Sequence, residues 1–361
     1  MDSHSEGSLR RDLEDYASHR TLNKPTEKNR CTFFALHPCG YSPATTADQR
    51  NLGRVTIDIL PDDVLLDIFD FYVVQANVHI PDNKWQTLMH VCRRWRNVVF
   101  ESPIRLNLRL VCSVKTPVRE KLDVWPLLPI IIRHFVHPKY STLDLDWLDN
   151  IFAAFEHDDR IHQITLNYLS FNPESKSILK AMQKPFPALT TLILSGDKTG
   201  PVIPNSIFGG SAPHLRYLSL SHILFPRLSK FLLSATDLVH LDLGRIPDSG
   251  YISPEAMATC LSVLTRLVSL KLEFESPRSR PNRKRRRLPP ATLSVLPALI
   301  KFDFKGVSEY LEDLVARIDT PQLKHLEINF FRHFIFDTPE LVQFVTRAPE
   351  LNAYDQAYWV V

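Results

Sequence analysis

The chain has 361 residues, of which 44% are hydrophobic and 23% charged, and its formal net charge is +3. This length and composition predict a globular protein with a sizeable core and room for two domains, and the near-neutral balance gives no general attraction to nucleic acid. Five scattered cysteines and an N-terminus without signal-peptide order predict an intracellular protein, in the cytoplasm or nucleus. The most apolar run, residues 124–132, contains two prolines and is too short to cross a membrane.

Residues 1–54 are polar and show no sustained period, which predicts a disordered leader. Cys31, His37 and Cys39 raise the question of a zinc site. Their spacing matches no common zinc pattern and a fourth ligand is missing, so we expect no metal and no other cofactor.

An amphipathic helix is predicted to begin after Pro61, because Asp62 and Asp63 then occupy its first turn, where negative charge suits the helix dipole. Between Val64 and Val73 the apolar side chains cover an arc of about 220°, against about 100° for an ordinary surface helix. So wide an arc needs either a second domain or another protein to cover it. A second helical pattern, with arginines opposite, consists of Trp85, Leu88, Val91, Cys92, Trp95 and Val99.

Both segments carry a family pattern. The sequences Leu60-Pro61-x-x-Val64-Leu65-x-x-Ile68-Phe69 and Leu88-x-x-Val91-Cys92-Arg93-x-Trp95-Arg96 resemble the two halves of an F-box. Asp63 stands where glutamate is more usual, and Ile104-Arg105-Leu106 replaces the expected Leu-Trp pair, so a regular third helix is not expected. The alternative interpretation is that both segments are core helices of a larger α-rich domain.

The resemblance implies a helical module at residues 55–105 that docks onto the adaptor subunit of an SCF-type cullin–RING ubiquitin ligase. The residues that it implies for adaptor binding are Leu60, Pro61, Val64, Leu65, Ile68, Phe69, Val91, Cys92 and Trp95.

Residues 103–114 alternate apolar and polar side chains, which predicts a half-buried strand. The proline-rich residues 116–136 that follow are predicted to be a connector.

From residue 140 onward one frame, Leu-x-x-Leu-x-Leu, recurs at intervals of 21 to 32 residues. The residue between the last two leucines is polar in all copies but one, where it is Ile193, so each predicted strand has one solvated face. A strand followed by a helix or loop, repeated at about 20–29 residues, is typical of leucine-rich repeats. The copies begin at Tyr140, Ile161, Leu189, Leu215, Leu238, Leu267, Leu299 and Leu323, with a degenerate last copy at Leu351.

The predicted fold class is therefore α/β. A short helical F-box-like module precedes an irregular leucine-rich-repeat solenoid, residues 106–361, with parallel strands on its concave face and helices or loops outside. This half resembles the repeat array that follows the F-box in one subclass of that family.

No catalytic constellation is present in the sequence: it contains no nucleophile elbow, no phosphate-binding glycine loop and no H-E-x-x-H helix, so we expect no enzyme. A basic run between Arg278 and Arg287 is either a solvated loop, a contact for an acidic partner or, through Arg283–Arg287, a nuclear-import signal. It lacks interleaved aromatic residues, so nucleic-acid binding is not expected.

These patterns predict a non-catalytic substrate receptor whose partners are the adaptor, the cullin and an unknown target protein. The alternative is a non-ligase repeat scaffold in which the helical module is an end cap. Residues turned away from the leucine core by the period-2 alternation are the candidate target contacts: Tyr217, His240, Asp242, Lys271, Glu273, Lys301, Asp303, His325 and Glu327.

Overall fold

The computed structural model describes residues 57–75, 85–113, 119, 122, 128–134, 145–170, 172–197, 201–277, 293–331 and 338–351. The predicted leader with Cys31, His37 and Cys39, the basic run and all but the first residue of the last repeat copy lie outside these ranges. The compact unit Asp58–Val361 contains all the helices and strands described below. Within the described ranges, no helix is long and apolar enough to cross a membrane.

Three helices form the first part of this unit: α1 (Asp62–Gln75), α2 (Trp85–Met89) and α3 (Arg93–Glu101). Helix α1 starts directly after Pro61, with two aspartates in its first turn, as the sequence predicts. Helix α3 is capped by Cys92, whose Sγ accepts a hydrogen bond from the backbone N–H of Trp95 at 3.5 Å.

Within the described part of the chain a parallel sheet of nine strands follows, and its strands lie side by side in the order of the chain. Its members are β1 (Leu110–Cys112), β2 (Ile130–His134), β3 (Ile161–Leu169), β4 (Thr191–Gly196), β5 (Tyr217–Ser221), β6 (His240–Ile246), β7 (Ser269–Phe274), β9 (Lys301–Gly306) and β11 (His325–Phe330). Two short strands, β8 (Ser294–Val295) and β10 (Ile318–Asp319), pair separately with each other.

Helices connect the strands, and prolines and polar caps fix where several of them begin. Asn172 and Ser253 each accept a hydrogen bond from a backbone N–H in the first turn of the helix that follows them. The helices are α4 (Leu145–Phe155), α5 (Pro173–Ala181), α6 (Leu228–Leu232), α7 (Pro254–Leu261), α8 (Ser308–Val315) and α9 (Pro339–Arg347).

The repeated frame places its leucines in register across the sheet. Leu192, Leu218 and Leu241 lie side by side on neighbouring strands, and all three are buried. The following row, two residues further along each strand, is built in the same way around Leu194, Leu220 and Leu243. Because side chains alternate between the two faces of a strand, the residues between these leucines, Ile193, Ser219 and Asp242, lie on the opposite face.

The sequence interpretation fails at three places before β3. Leu145, assigned to a repeat strand, begins α4 instead. The strand predicted over residues 103–114 contains only β1, because residues 103–107 form a turn. The predicted connector contains β2, whose side chains are almost all buried and therefore lack the polar–apolar alternation of a half-exposed strand.

Tyr310 on α8 lies at the centre of an aromatic cluster and is fully buried. Its ring centroid is 4.6 Å from that of Phe274 and 6.0 Å from that of Phe304. Burial raises the pKa of Tyr310 well above its usual range. Its hydroxyl has no hydrogen-bond partner among the described residues.

We expect Tyr310→Phe to increase the free energy of unfolding by about 1 kcal/mol, because it removes a buried hydroxyl that forms no hydrogen bond while keeping the ring. Urea denaturation measures the change. Tyr72→Phe, at an exposed tyrosine, is the control and should leave the stability unchanged. A lower stability for Tyr310→Phe would contradict the prediction.

Candidate partner-binding surfaces

Helix α1 carries two apolar faces, and only one of them is covered. Leu65 and Phe69 are 0% exposed, and Leu66 and Val73 are nearly buried. The other face, which we call the α1 stripe, consists of Val64, Ile68, Phe71 and Tyr72, with exposed fractions of 40%, 42%, 65% and 41%. The spacing i, i+4, i+7, i+8 places these four on one side of the helix. The wide apolar arc of the sequence is thus divided between the core and solvent.

Two of the residues implied for adaptor binding are therefore unavailable to a partner. Leu65 and Phe69 point into the core, where the Phe69 ring lies 4.7 Å from that of Trp95 between centroids. The F-box pattern of alternating apolar residues contains both faces of the helix, so the motif alone does not separate contact residues from packing residues.

The other implied residues are distributed as follows. Pro61, Val64, Ile68 and Val91 are exposed, whereas Leu60, Cys92 and Trp95 are half-buried. Trp95 and Leu60 pack against the hydrophobic core, and Cys92 is the cap of α3. Phe71 and Tyr72 are exposed on the same side of α1 as Val64 and Ile68, and the sequence-based list did not include them.

Arg94 fixes the start of α1 against α3. Its guanidinium donates to the backbone carbonyl oxygen of Leu60 at 2.5 Å and to Asp62 Oδ1 at 2.6 and 3.0 Å. Two nitrogens of the guanidinium thus donate to one carboxylate oxygen, and one of them also contacts the Leu60 carbonyl. Arg94 therefore orients the helix that carries the α1 stripe.

Arg105 makes a second link on the polar side of α1. It donates to Asp67 Oδ1 at 2.5 Å and lies 4.0 Å from Asp63 Oδ1. The neighbouring Ile104 is 93% exposed. These residues lie in the turn after α3, where the sequence analysis expected no regular third helix.

These features define a class of protein: a small helical module with a bare apolar helix face, followed by a parallel sheet built from a repeated frame. Residues 57–109 match the family model described as F-box-like. This segment is thus an F-box-like domain, and a domain of this kind indicates an adaptor-binding role in SCF-type ubiquitin ligases. F-box proteins are generally non-catalytic subunits. No curated protein matches the chain.

The polar face of the sheet brings the candidate target contacts together in rows. One row crosses the strands from Asp242 through Lys271 to Asp303 and Glu327, and a second runs from Tyr217 through His240 to Lys301 and His325. All of them are exposed or half-buried. The alternation used to select them therefore places them on one continuous surface.

Ion pairs on this surface neutralise most of its charges. Lys271 Nζ lies 3.8 Å from Asp242 Oδ1 and 3.5 Å from Glu273 Oε2. Lys305 Nζ lies 2.9 Å from Glu273 Oε1, and Lys301 Nζ lies 2.9 Å from Asp303 Oδ2.

The pKa values follow from this arrangement. Burial raises the pKa of Asp242, although Lys271 and the Ser219 hydroxyl act in the opposite direction. Burial alone would also raise the pKa of Glu273, but the hydrogen bond and charge of Lys305, together with Lys271, lower it. The hydrogen bond to Asp303 raises the pKa of Lys301.

Three residues at the strand ends escaped the sequence analysis. Tyr168, His222 and Arg245 have left-handed backbone conformations, with φ of 59°, 53° and 48°. In a regular strand one residue separates two inward-facing apolar residues. At each of these three positions two residues separate them, as in Leu166-Asn167-Tyr168-Leu169. That extra residue was a visible signal of a bulge.

No group of three or more His, Cys, Asp or Glu residues capable of holding a metal ion occurs in the described part of the chain. The histidines His240 and His325 are exposed on the sheet face.

Proposed function

We propose that the protein is the substrate-recognition subunit of an SCF-type cullin–RING E3 ubiquitin ligase and acts inside the cell. In this proposal the helical module binds the adaptor, which links it to the cullin, and the polar face of the sheet binds the target protein. The α1 stripe supports the proposal most directly, because it is an exposed apolar face within the F-box-like segment.

We further propose that the sheet and its connecting helices form an irregular leucine-rich-repeat solenoid. The strand order, the shared frame and the buried leucine rows support this assignment. In such an array each unit packs only on its neighbours and leaves one strand face open for partners.

The proposed mechanism is proximity and requires no catalytic group in this chain. The receptor holds the target beside the ubiquitin-charged enzyme that the ligase supplies, which raises the effective concentration of the reacting groups.

The second candidate function is a repeat scaffold in which the helical module is only an end cap. The buried face of α1, including Leu65 and Phe69, packs into the same hydrophobic cluster as the sheet, as a cap would. A cap would bury its apolar side chains within the chain. The side chains of the α1 stripe are exposed to solvent, so a cap does not account for them.

Adaptor binding tests the two candidates. The double variant Val64→Asp, Ile68→Asp should weaken binding to a purified SCF adaptor subunit by at least about 100-fold, because it places two charges in an apolar interface. Biolayer interferometry with the full chain measures the affinity. Val64 and Ile68 are better sites for this substitution than Leu60, because Leu60 packs against the core and its replacement would also affect stability.

The matched control is Val342→Asp, Val345→Asp, which makes the same change at two exposed valines of α9. It should bind the adaptor as wild type does, and both double variants should keep the wild-type circular dichroism spectrum. Wild-type protein that does not bind the adaptor, or equal binding by all three proteins, would favour the scaffold.

A further inference from the structure

An open groove of about 540 Å³ lies on the polar side of the strand ends of β3 to β7. Its lining includes Tyr168, Ser195, Ser221, His222, Asp242 and Arg245. Two further lining residues, Gly196 and Gly244, have no side chain, and the serines beside them are small. The groove therefore exists because small residues lie between larger ones.

Backbone strain is concentrated at this groove. Of the five non-glycine residues with positive φ in the described chain, Tyr168, His222 and Arg245 line it. A non-glycine residue in this region costs on the order of 1 kcal/mol, and such residues cluster at functional sites.

Strand bulges produce the strain and aim the side chains. The register shifts between Leu166 and Leu169 and again between Leu243 and Ile246. Pairing then resumes, since Asp197 donates its N–H to the Leu169 carbonyl at 3.0 Å and Glu275 donates to that of Ile246 at 2.9 Å. A bulge of this kind redirects one side chain without ending the sheet. Here it turns Tyr168 and Arg245 toward the same groove.

Among the residues that the structure describes, the charges of the groove leave one cation without an ion-pair partner. Lys271 lies within 4 Å of Asp242 and Glu273, and His222 Nε2 is 3.8 Å from Glu275 Oε1. Arg245, which is exposed, forms no ion pair with any described residue. A guanidinium in this position is suited to a carboxylate, which it can bind through two parallel hydrogen bonds.

One other feature suits an extended polypeptide. The Tyr168 ring, with 53% of the residue exposed, offers an apolar surface at the other side of the groove.

We propose that this groove is the target-binding subsite and takes an extended segment of the target protein, with an acidic side chain of that segment paired to Arg245. The inference rests on the proposed function, because it assigns the part of the sheet face that recognises the target and the chemistry that it recognises.

Peptide binding to the full chain tests the subsite. The probes are fluorescent peptide mixtures of about nine residues, randomised except for a central Glu, Gln or Lys. We expect the Glu mixture to bind about tenfold more tightly than the Gln mixture, measured by fluorescence anisotropy, because a charge-assisted hydrogen bond replaces a neutral one.

The charge-reversal variant Arg245→Glu should remove this preference and favour the Lys mixture. Arg245→Asn should remove the preference without reversing it, since asparagine tolerates a left-handed backbone and the fold is retained. The control Arg227→Glu changes an exposed arginine outside the groove lining and should keep the Glu preference.

Three outcomes would overturn the proposal: no binding of any mixture, equal binding of all three, or a Glu preference that survives Arg245→Glu. A wild-type preference for the Lys mixture would also overturn it and would assign the groove to basic segments through Asp242 and Glu273. Adaptor binding by the same preparation is measured separately, so failure of the groove and failure of the receptor function can be distinguished.

Discussion

Phe69→Ala should lower the free energy of unfolding by about 3–5 kcal/mol, because it leaves a cavity where a fully buried ring now packs. Phe69 is 0% exposed, and its ring lies 4.7 Å from that of Trp95. The loss should be larger than for any change on the α1 stripe. Urea denaturation followed by tryptophan fluorescence measures it, since Trp95 reports on this contact.

Phe71→Ala is the matched control, because it makes the same change two residues further along the same helix. Phe71 is 65% exposed, so the expected loss of stability is below about 0.5 kcal/mol. Equal losses for the two variants would contradict the division of α1 into a buried and an open face.

Glu312→Ala should lower the free energy of unfolding by about 2–3 kcal/mol. The effect should be centred on α9, at the C-terminal end of the described chain. The Glu312 carboxylate is buried on α8 and accepts hydrogen bonds from the N–H groups of Leu341 at 2.9 Å and Glu340 at 3.1 Å. It thereby caps the first turn of α9 from another helix and complements the dipole of α9. Removing it leaves two partly buried N–H groups without this acceptor.

Hydrogen exchange followed by mass spectrometry measures this effect directly in residues 338–351, and calorimetry gives the change in Tm. Glu312→Gln should show a smaller loss, because one oxygen remains to accept. The control Glu350→Ala removes an exposed ion pair to Lys324 at 3.2 Å and should change stability by less than about 0.5 kcal/mol. Unchanged exchange in α9 after Glu312→Ala would contradict the capping role.

Much of the sheet could be predicted from the sequence, because its evidence is local. A leucine at a fixed spacing with a polar residue between indicates a strand with one wet face, and the rows through Leu218 and Leu220 follow that rule. The start of α1 was equally readable from Pro61 and the aspartates after it.

The sequence did not predict which apolar side of α1 is buried, because that depends on what packs against the helix. Val64 and Leu65 are both apolar, yet one is exposed and the other buried, because α2 and α3 pack against the side that carries Leu65. The same limit applies to β2, whose Ile130, Ile131 and Ile132 are buried on both faces and give no alternation.

The groove could be predicted from the sequence only in part. The bulges at Tyr168 and Arg245 changed the spacing of apolar residues in the sequence, but the convergence of the two side chains required the register of five strands. The spacing of apolar residues can reveal each bulge. Only the assembled sheet shows that Tyr168 and Arg245 line the same groove.

The chain-order arrangement of the nine strands has a consequence for synthesis on the ribosome. Each emerging strand finds its partner already in place, since the edge that it needs was left by the strand translated before it. No described strand of this sheet has to be threaded between earlier ones, so the sheet can assemble by growth from its N-terminal end outward. A nascent chain stalled after any strand would then carry an unpaired edge at its newest strand, which is a place where a chaperone or a second nascent copy would attach.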